Sequence, residues 1–370
     1  MALDRIVVAE RNYPLMLSWE LVEQFADGIP AHMHSDRARN GWAWTITPVV
    51  PVDLQQEGFG TVYIKDESQN PTGTIKDRAA WELTALYRDF ARALYLKQKG
   101  KGRIEQPVPR LSCITAGNVG RAVSEIYRRF GLPPMKLLVD ISVSPERLQI
   151  LRGLHADIYM ADLGRNVFEK DDDKVKRPYT AQEIKLLTNN VKGIDITSVM
   201  ALEPWAVFYD WHVHEAFNEN AAEIYVPYGS GRIWENYLTW QQRTIRNDAT
   251  GRRDPRLQVS AEKVIAMSIL GAEPEVLNSK ADKLTKSFNP FALFDDQDAR
   301  ALNALSFTGQ HTGVYKVSEA KIAQAYEIMC GCFNTEPSAS AGLALYLQRF
   351  DEGKIDPRKK ILIVNTGQGI

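Results

Sequence analysis

Short apolar segments alternate with longer amphipathic segments along most of the chain after residue 60. At 77–99 and 119–130 the apolar residues recur three or four positions apart, which is the spacing of one helix face. The runs 60–65, 111–115 and 136–141 are short and rich in aliphatic or β-branched residues, so they predict strands. Strands that alternate with helices predict a parallel sheet with helices on its faces.

The same alternation returns in the second half of the chain. Buried strands are predicted for three short apolar runs, at 223–227, 263–268 and 360–365. Helices are predicted for three amphipathic stretches, at 233–245, 318–329 and 339–350. Between the halves lies the polar stretch 164–192, which we interpret as a solvated surface crossing. The predicted fold class is therefore α/β, with two domains whose open, mainly parallel sheets are flanked by helices.

The composition and net charge of the chain argue against several classes of binding partner. The 370 residues include 45 Lys and Arg against 46 Asp and Glu, so the net charge is -1, which argues against nucleic-acid and membrane-surface partners. No apolar run approaches the roughly 20 residues of a membrane span. The N-terminal apolar stretch contains charges, unlike a secretory signal, and three cysteines do not make a disulfide framework. We expect a soluble, cytoplasmic protein.

A first candidate site is the turn 70–75, which runs directly into the predicted helix at Lys76. The start of a helix carries partial positive charge, so the ammonium form of a lysine is disfavoured there. Such a lysine is a candidate nucleophilic amine. A solvated surface lysine is an equally good interpretation of this local sequence.

Two further candidate sites follow predicted strands. The segment 115–120, Thr-Ala-Gly-Asn-Val-Gly, joins a strand to a helix, where backbone N–H groups bind anions such as carboxylates. The segment 228–233, Tyr-Gly-Ser-Gly-Arg-Ile, has the same setting and could hold a phosphate group. It lacks the Lys-Ser/Thr of a P-loop, and each segment alone is also explained as a plain turn.

The order of these elements resembles one enzyme superfamily. The segment 65–78, KDESQNPTGTIKDR, is followed by the Asn loop, the Gly-rich loop, the segment 336–342 (EPSASAG) and the terminal run 361–369, ILIVNTGQG. This arrangement resembles the pyridoxal-phosphate enzymes of fold type II, the tryptophan-synthase-β-like superfamily, and within it most closely threonine synthase. The resemblance implies a cofactor in the cleft between a small domain, 68–189, and a large domain, 1–67 plus 190–370. It also implies a homodimer.

The resemblance also implies roles for individual residues. Lys76 would bind pyridoxal 5'-phosphate as a Schiff base and move protons at the substrate Cα, Asn118 would bond the phenolic oxygen of the cofactor, and Thr366 would meet its pyridine nitrogen. The residues that would hold the phosphate are Gly229, Ser230, Gly231, Arg232 and Ile233. Those that would bind the small amino-acid substrate are Thr115, Ala116, Gly117, Asn118 and Val119.

Three departures from the family pattern leave the substrate open. Ala116 and Val119 stand where the family usually has hydroxyl residues, Arg232 stands where a glycine is common, and Pro145-Glu146-Arg147 stands where threonine synthases tend to place a lysine. The expected reaction is elimination or replacement at Cβ or Cγ, as in threonine synthase acting on phosphohomoserine. The alternatives are a β-replacing synthase, an amino-acid ammonia-lyase, or a non-catalytic binding relative.

Two histidine pairs form another pattern that could suggest a metal site. His32 and His34, like His212 and His214, are two positions apart, and such pairs share a face of a strand. No cysteine or carboxylate stands at a convincing spacing beside them. We interpret them as satisfied or surface side chains and predict no metal site.

Overall fold

Two sheets organise the computed structural model of the chain. The residues it describes are 5–9, 46–55, 58–100, 109–115, 117–129, 132–163, 167–170, 173–176, 179–196, 209–251, 257–285 and 311–369. Contacts between Cα atoms divide the chain into two compact units. Unit 1 comprises residues 1–45, 76–202 and 370, and unit 2 comprises 46–75 and 203–369.

The sheet of unit 1 has five strands in the order β1-β6-β5-β4-β9. Its strands are β1 (Arg5–Ala9), β4 (Leu111–Ile114), β5 (Met135–Asp140), β6 (Ala156–Ala161) and β9 (Ile194–Asp195). All neighbours are parallel except β1, which runs antiparallel to β6. Strands β4, β5 and β6 are almost wholly buried, as expected for a parallel sheet covered on both faces.

Four helices and a hairpin complete the described part of unit 1. They are α1 (Lys76–Lys99), α2 (Asn118–Arg129), α3 (Pro145–Arg152), α4 (Ala181–Leu187), and the strands β7 (Val167–Lys170) and β8 (Asp173–Lys176). Helix α2 packs along α1, where Tyr87 and Tyr127 stack with ring centroids 5.6 Å apart. Helix α4 begins with a capping box between Thr180 and Glu183, which satisfies backbone N–H groups at its start.

The sheet of unit 2 has six strands in the order β12-β11-β10-β13-β3-β2. They are β2 (Val49–Asp53), β3 (Thr61–Asp66), β10 (Glu223–Pro227), β11 (Ser268–Pro274), β12 (Gly313–Val317) and β13 (Ile361–Asn365). The strands from β12 to β3 are parallel, and β2 is antiparallel to β3. Strands β10 and β13 are buried at every position, so the centre of the sheet is the core of this unit.

The described helices of unit 2 pack on this sheet. They are α5 (Asp210–Asn218), α6 (Arg232–Ala249), α7 (Ala261–Ala266), α8 (Asp282–Thr285), α9 (Glu319–Cys330) and α10 (Ala341–Asp351). Helix α10 is buried along most of its length, and Gly342 lets it approach the carbonyl oxygen of Tyr225 closely. Ser318 caps α9 by accepting a bond from the backbone N–H of Lys321.

The predicted fold class is confirmed, since mainly parallel sheets flanked by helices form both units. The strand predicted at 263–268 is wrong. Ser260 caps the short helix α7 there, and the strand starts only at Ser268. A continuous apolar run does not by itself distinguish the two structures.

The boundaries of the two domains stay a prediction. The structure differs from this prediction at the N-terminal strand, which the prediction assigns to the large domain. Strand β1 instead pairs with β6 in the sheet of unit 1, with Arg5 opposite Ala161. This pairing joins residues far apart in the sequence, so no local pattern reveals it.

Among the described residues, no helix combines the length and the apolar character that crossing a bilayer requires.

Gly342 provides a test of the packing of α10. A Cβ atom there would lie 3.0 Å from Tyr225 O, whereas a Cβ at Gly331 would meet nothing within 4 Å. We expect Gly342→Ala to lower the free energy of unfolding by about 1–3 kcal/mol, because overpacking forces the backbone apart. Gly331→Ala should stay within about 0.5 kcal/mol of the parent. Urea unfolding followed by tryptophan fluorescence measures both, and equal stability of the two variants would contradict this account.

Candidate functional site

The candidate lysine stands at the end of a structured loop. Strand β3 ends at Asp66 and is followed by a 3-10 turn, Glu67–Gln69. The loop then turns at Gly73, whose φ is 83° and whose N–H donates to Asn70 O at 2.8 Å. Lys76 is the first residue of α1 and is partly buried, so the sequence-based placement at a helix start is correct.

A second turn binds to this loop through the main chain. The N–H of Ile75 donates to Thr366 O at 3.0 Å, and Thr74 forms an isolated antiparallel bridge with Gly367. Gly367 has a φ of 90°, and a Cβ atom on it would lie only 2.1 Å from the carbonyl oxygen of Gly73. Only glycine fits such a close approach of two backbones. The structure thus brings Thr366 to the loop that precedes Lys76.

Buried side chains reinforce this contact. Asn365 is fully buried and donates through Nδ2 to Asp66 Oδ1 at 2.8 Å. Its Oδ1 accepts from Thr335 Oγ1 at 2.9 Å and from the N–H of Gly367 at 3.2 Å. One amide therefore holds the ends of strands β3 and β13 and the Thr366 turn together. Because every one of these groups is buried, loss of one partner would leave another without a hydrogen bond.

The Gly-rich segment forms a tight junction between β10 and α6. Gly231 is the N-cap of α6, adopts a φ of 77°, and leaves the helix without a side-chain cap. At Gly229 a Cβ atom would lie 3.2 Å from Lys283 O and from Leu284 Cδ2, so α8 packs directly on the loop. The uncapped N–H groups at the start of an 18-residue helix favour an anion.

Arg232 adds a buried positive charge to this junction. Its side chain is only 7% exposed, and Nη1 pairs with Glu235 Oε2 at 2.6 Å. Its Nε and Nη2 atoms are buried and have no hydrogen-bond partner among the described residues. Burial lowers the pKa of the Arg232 guanidinium, although Glu235 acts in the opposite direction. Unused donors beside an uncapped helix start match the donor chemistry that a phosphate monoester requires.

The third predicted element lies in unit 1, between β4 and α2. Thr115 Oγ1 accepts from the N–H groups of Gly117 and Gly120, at 3.0 and 3.2 Å. Its hydroxyl therefore already shapes the turn. Asn118 is the first residue of α2 and is partly buried, whereas Ala116 lies outside the described residues.

The predicted residues fall into two groups, one in each unit. Lys76 and Asn118 are the first residues of α1 and α2, two helices that pack together in unit 1. The Gly-rich loop and Thr366 follow β10 and β13, which are neighbours in the sheet of unit 2.

Sequence analysis missed the buried polar residues beside the lysine loop, above all Asp66, Glu67 and Asn365. His212 and His214, which the sequence analysis interprets as satisfied or surface side chains, lie on helix α5, and both are buried. His212 Nδ1 lies 2.9 Å from Glu67 Oε1, and its Nε2 lies 2.8 Å from Tyr237 Oη. His32 and His34 lie outside the described residues.

Comparison with known proteins places these loops in context. A family model described as pyridoxal-phosphate dependent enzyme matches residues 43–233, a stretch that contains the lysine loop, the Asn loop and the Gly-rich loop. Cysteine synthase from Aquifex aeolicus (strain VF5) is 29% identical over 113 residues. That match covers 30% of this chain and 29% of the relative.

Solved structures share the fold over nearly the whole chain. O-ureido-L-serine synthase has a TM-score of 0.56 at 16% identity, with 93% of this chain and 91% of that chain covered. The L-serine ammonia-lyase from Rhizomucor miehei has a TM-score of 0.55 at 17% identity, with 87% of this chain and 93% of that chain covered. A pyridoxal 5'-phosphate-dependent aspartate racemase has a TM-score of 0.55 at 14% identity, with 96% of this chain and 97% of that chain covered.

The contact between Gly367 and Gly73 can be tested by adding a methyl group. Gly353 is the matched control, because its φ is 69° and a Cβ there would meet nothing within 4 Å. Gly353→Ala should cost about 1–2 kcal/mol of unfolding free energy through backbone strain alone. Gly367→Ala should cost at least about 2 kcal/mol more, since the Gly73 carbonyl must move. The urea midpoints of the two variants measure this difference. An equal loss of unfolding free energy in both variants would show that the two loops tolerate separation.

Proposed function

The chain belongs to the family of pyridoxal-phosphate-dependent enzymes, whose cofactor is pyridoxal 5'-phosphate, and we propose that it catalyses elimination or replacement at Cβ of a small, serine-type amino acid. The observation that carries the reaction type is Thr366 at the end of β13. If Thr366 faced the pyridine nitrogen, its neutral hydroxyl would leave that nitrogen less protonated than an aspartate would. A weaker electron sink of this kind favours elimination and replacement over transamination.

Lys76 is the proposed catalytic base. Bound pyridoxal phosphate supplies an electron sink that stabilises negative charge at the substrate Cα. Lys76 would bind the cofactor covalently through Nζ, and the same amine would accept the Cα proton once the substrate has displaced it.

The remaining contacts to the cofactor would come from the Gly-rich loop, the Asn loop and the Thr366 turn. The backbone N–H groups of Gly229–Ile233 and the guanidinium of Arg232 would hold the phosphate. Arg232 Nε and Nη2, which have no hydrogen-bond partner in the described part of the chain, support this assignment, because buried donors cost free energy when they are left unsatisfied. Asn118 would donate to the phenolic oxygen, and Thr366 would face the pyridine nitrogen.

The segment 115–119 is the proposed site for the substrate carboxylate. Thr115 Oγ1 already accepts two backbone bonds, so Thr115 contributes mainly by shaping the turn. The carboxylate would then be held by backbone N–H groups at the start of α2, around Asn118 and Val119. Val119 offers an apolar side chain to the rest of the substrate, which suits a small amino acid.

Support for a serine-type substrate comes from the similar proteins. The matched relative is a cysteine synthase, and two of the structures that share the fold are named for L-serine or a serine derivative. The segment Pro145-Glu146-Arg147, where threonine synthases tend to have a lysine, argues against a phosphorylated substrate.

A threonine-synthase-like reaction at Cγ of phosphohomoserine is the second candidate. The motif at 65–78, with Asn70, Pro71 and Lys76-Asp77-Arg78, favours it. The two reactions differ in their released products, so they can be separated directly.

Replacement of Lys76 tests the cofactor assignment. We expect the purified protein to show a visible absorption band with pyridoxal phosphate. Lys76→Ala should lose the band of the covalently bound cofactor. Its turnover should fall at least about a thousandfold, because the residue that acts as both nucleophile and base is missing. Lys97→Ala, an exposed lysine of the same helix, is the control and should behave like the parent. Full activity of Lys76→Ala would refute the assignment.

A substrate panel tests the reaction. Serine, O-acetylserine with sulfide, and phosphohomoserine should be compared on the loaded protein. We expect 2-oxo acid or a β-substituted amino acid from the serine-type compounds. Release of phosphate with formation of threonine would favour the second candidate instead. Cofactor bound without turnover of any compound would indicate a non-catalytic relative.

A further inference from the structure

A second group of buried polar side chains adjoins the lysine loop, and no role in the proposed reaction has been given to it. We call it the Glu67 network. Its members, all in unit 2, are Thr47, Lys65, Glu67, Asn70, His212, Glu215 and Tyr237. Glu67, His212 and Tyr237 are completely buried, and Lys65 is 1% exposed.

Glu67 is the centre of this network. Its Oε1 accepts from Thr47 Oγ1 at 2.7 Å and lies 2.9 Å from His212 Nδ1. Its Oε2 accepts from Asn70 Nδ2 at 2.7 Å. A buried carboxylate with three direct partners has a defined position and orientation.

Positive charge near Glu67 comes from Lys65. Lys65 Nζ is 4.0 Å from Glu67 Oε1 and pairs with Glu215 Oε2 at 2.6 Å. The same amine donates to Thr47 O. Lys65 therefore holds two carboxylates from different elements. Replacing a buried charge set of this kind by apolar groups is often neutral or stabilising, so its presence calls for a reason other than stability alone.

The network reaches two of the elements proposed to bind the cofactor. On one side, Asn70 also donates to Glu67 O at 2.9 Å, and Asn70 O accepts from Gly73 N, which closes the turn before Lys76. On the other side, His212 contacts Tyr237 on α6, the helix that begins at Arg232. A displacement of Glu67 would therefore shift both the lysine loop and helix α6.

We propose that Glu67 is a positioning residue: it acts through Asn70 to orient the turn that carries Lys76, and through His212 and Tyr237 it keeps that turn in register with the phosphate loop. This inference rests on the proposed function, because it concerns how the chain arranges its cofactor-binding elements. Glu67 itself contacts neither substrate nor cofactor in this account.

Glu67→Gln is the informative change, since it preserves size while one carboxylate oxygen becomes an NH2 group that cannot accept a bond. Glu223→Gln is the matched control. Glu223 is also a buried glutamate of the same sheet, it accepts from Tyr225 Oη at 2.7 Å, and it lies at the opposite end of β10 from the Gly-rich loop. The measurements are the dissociation constant for pyridoxal phosphate, the visible circular dichroism of the bound cofactor, and the urea midpoint.

We expect Glu67→Gln to weaken cofactor binding by about ten- to a hundredfold, the cost of an unmatched buried hydrogen bond. Its visible circular dichroism should change as well, because the orientation of the bound cofactor depends on the turn. Glu223→Gln should lower the urea midpoint but bind the cofactor with parental affinity and spectrum. Parental affinity and spectrum in Glu67→Gln would overturn the inference while leaving the proposed function intact. Failure of the parent protein itself to bind pyridoxal phosphate would overturn the proposed function and the inference together.

If Glu67→Gln does not fold, a second pair of variants tests the positioning role of Glu67. His212→Asn keeps a donor near the Nδ1 position, which faces Glu67, and His212→Gln keeps one near the Nε2 position, which faces Tyr237. We expect His212→Asn to bind pyridoxal phosphate several-fold more tightly than His212→Gln, since only the former retains the bond to Glu67. The same affinity in both variants would contradict a positioning role for Glu67.

Discussion

The main-chain contact between residues 73–75 and residues 366–367 is the constraint on which the candidate site depends. Strands β10, β13 and β3 are parallel neighbours, so their carboxyl ends meet at one edge of the sheet. This edge receives the Gly-rich loop, the Thr366 turn and the lysine loop in that order. Open parallel sheets bind ligands beyond the carboxyl ends of their strands. The bond from Ile75 N–H to Thr366 O and the absence of a side chain at Gly367 bring two of the three loops into direct contact.

Beneath this edge, linked polar side chains are buried beside the apolar core of the sheet. Asp66 and Asn365 join β3 to β13, and Glu67 joins the lysine loop to α5 and, through His212, to α6. Apolar packing is non-directional and tolerates small shifts, whereas buried hydrogen bonds between charged groups lose energy steeply when their geometry changes. A core of this kind suits a site in which several backbone segments must keep fixed relative positions.

Much of the fold follows from local patterns. Periodicity predicted most strands and helices, and the order of the lysine, Asn and Gly-rich loops led to the family, because each of these signals occupies a few consecutive residues. The polar links escaped prediction, since Asp66 and Asn365 are 299 positions apart and Glu67 and His212 are 145 positions apart. The strand predicted at 263–268 failed for a different reason: the cap at Ser260 turns the first part of an apolar run into helix α7. The identity of Arg232 was known from the sequence, but its burial, which distinguishes it from a solvated surface arginine, was not.

The central position of β13 in the sheet also has a consequence for biosynthesis. A ribosome that adds about 5–20 residues per second needs on the order of 15–60 s to travel from Asp66 to Asn365, a separation of 299 residues. During that interval β10 and β3 each lack their shared neighbour, and unpaired strand edges are templates for aggregation. The lysine loop of the nascent chain lacks its main-chain contact with the Thr366 turn until β13 inserts between β10 and β3. The two strand edges depend on protection until β13 has been synthesised and has paired with them.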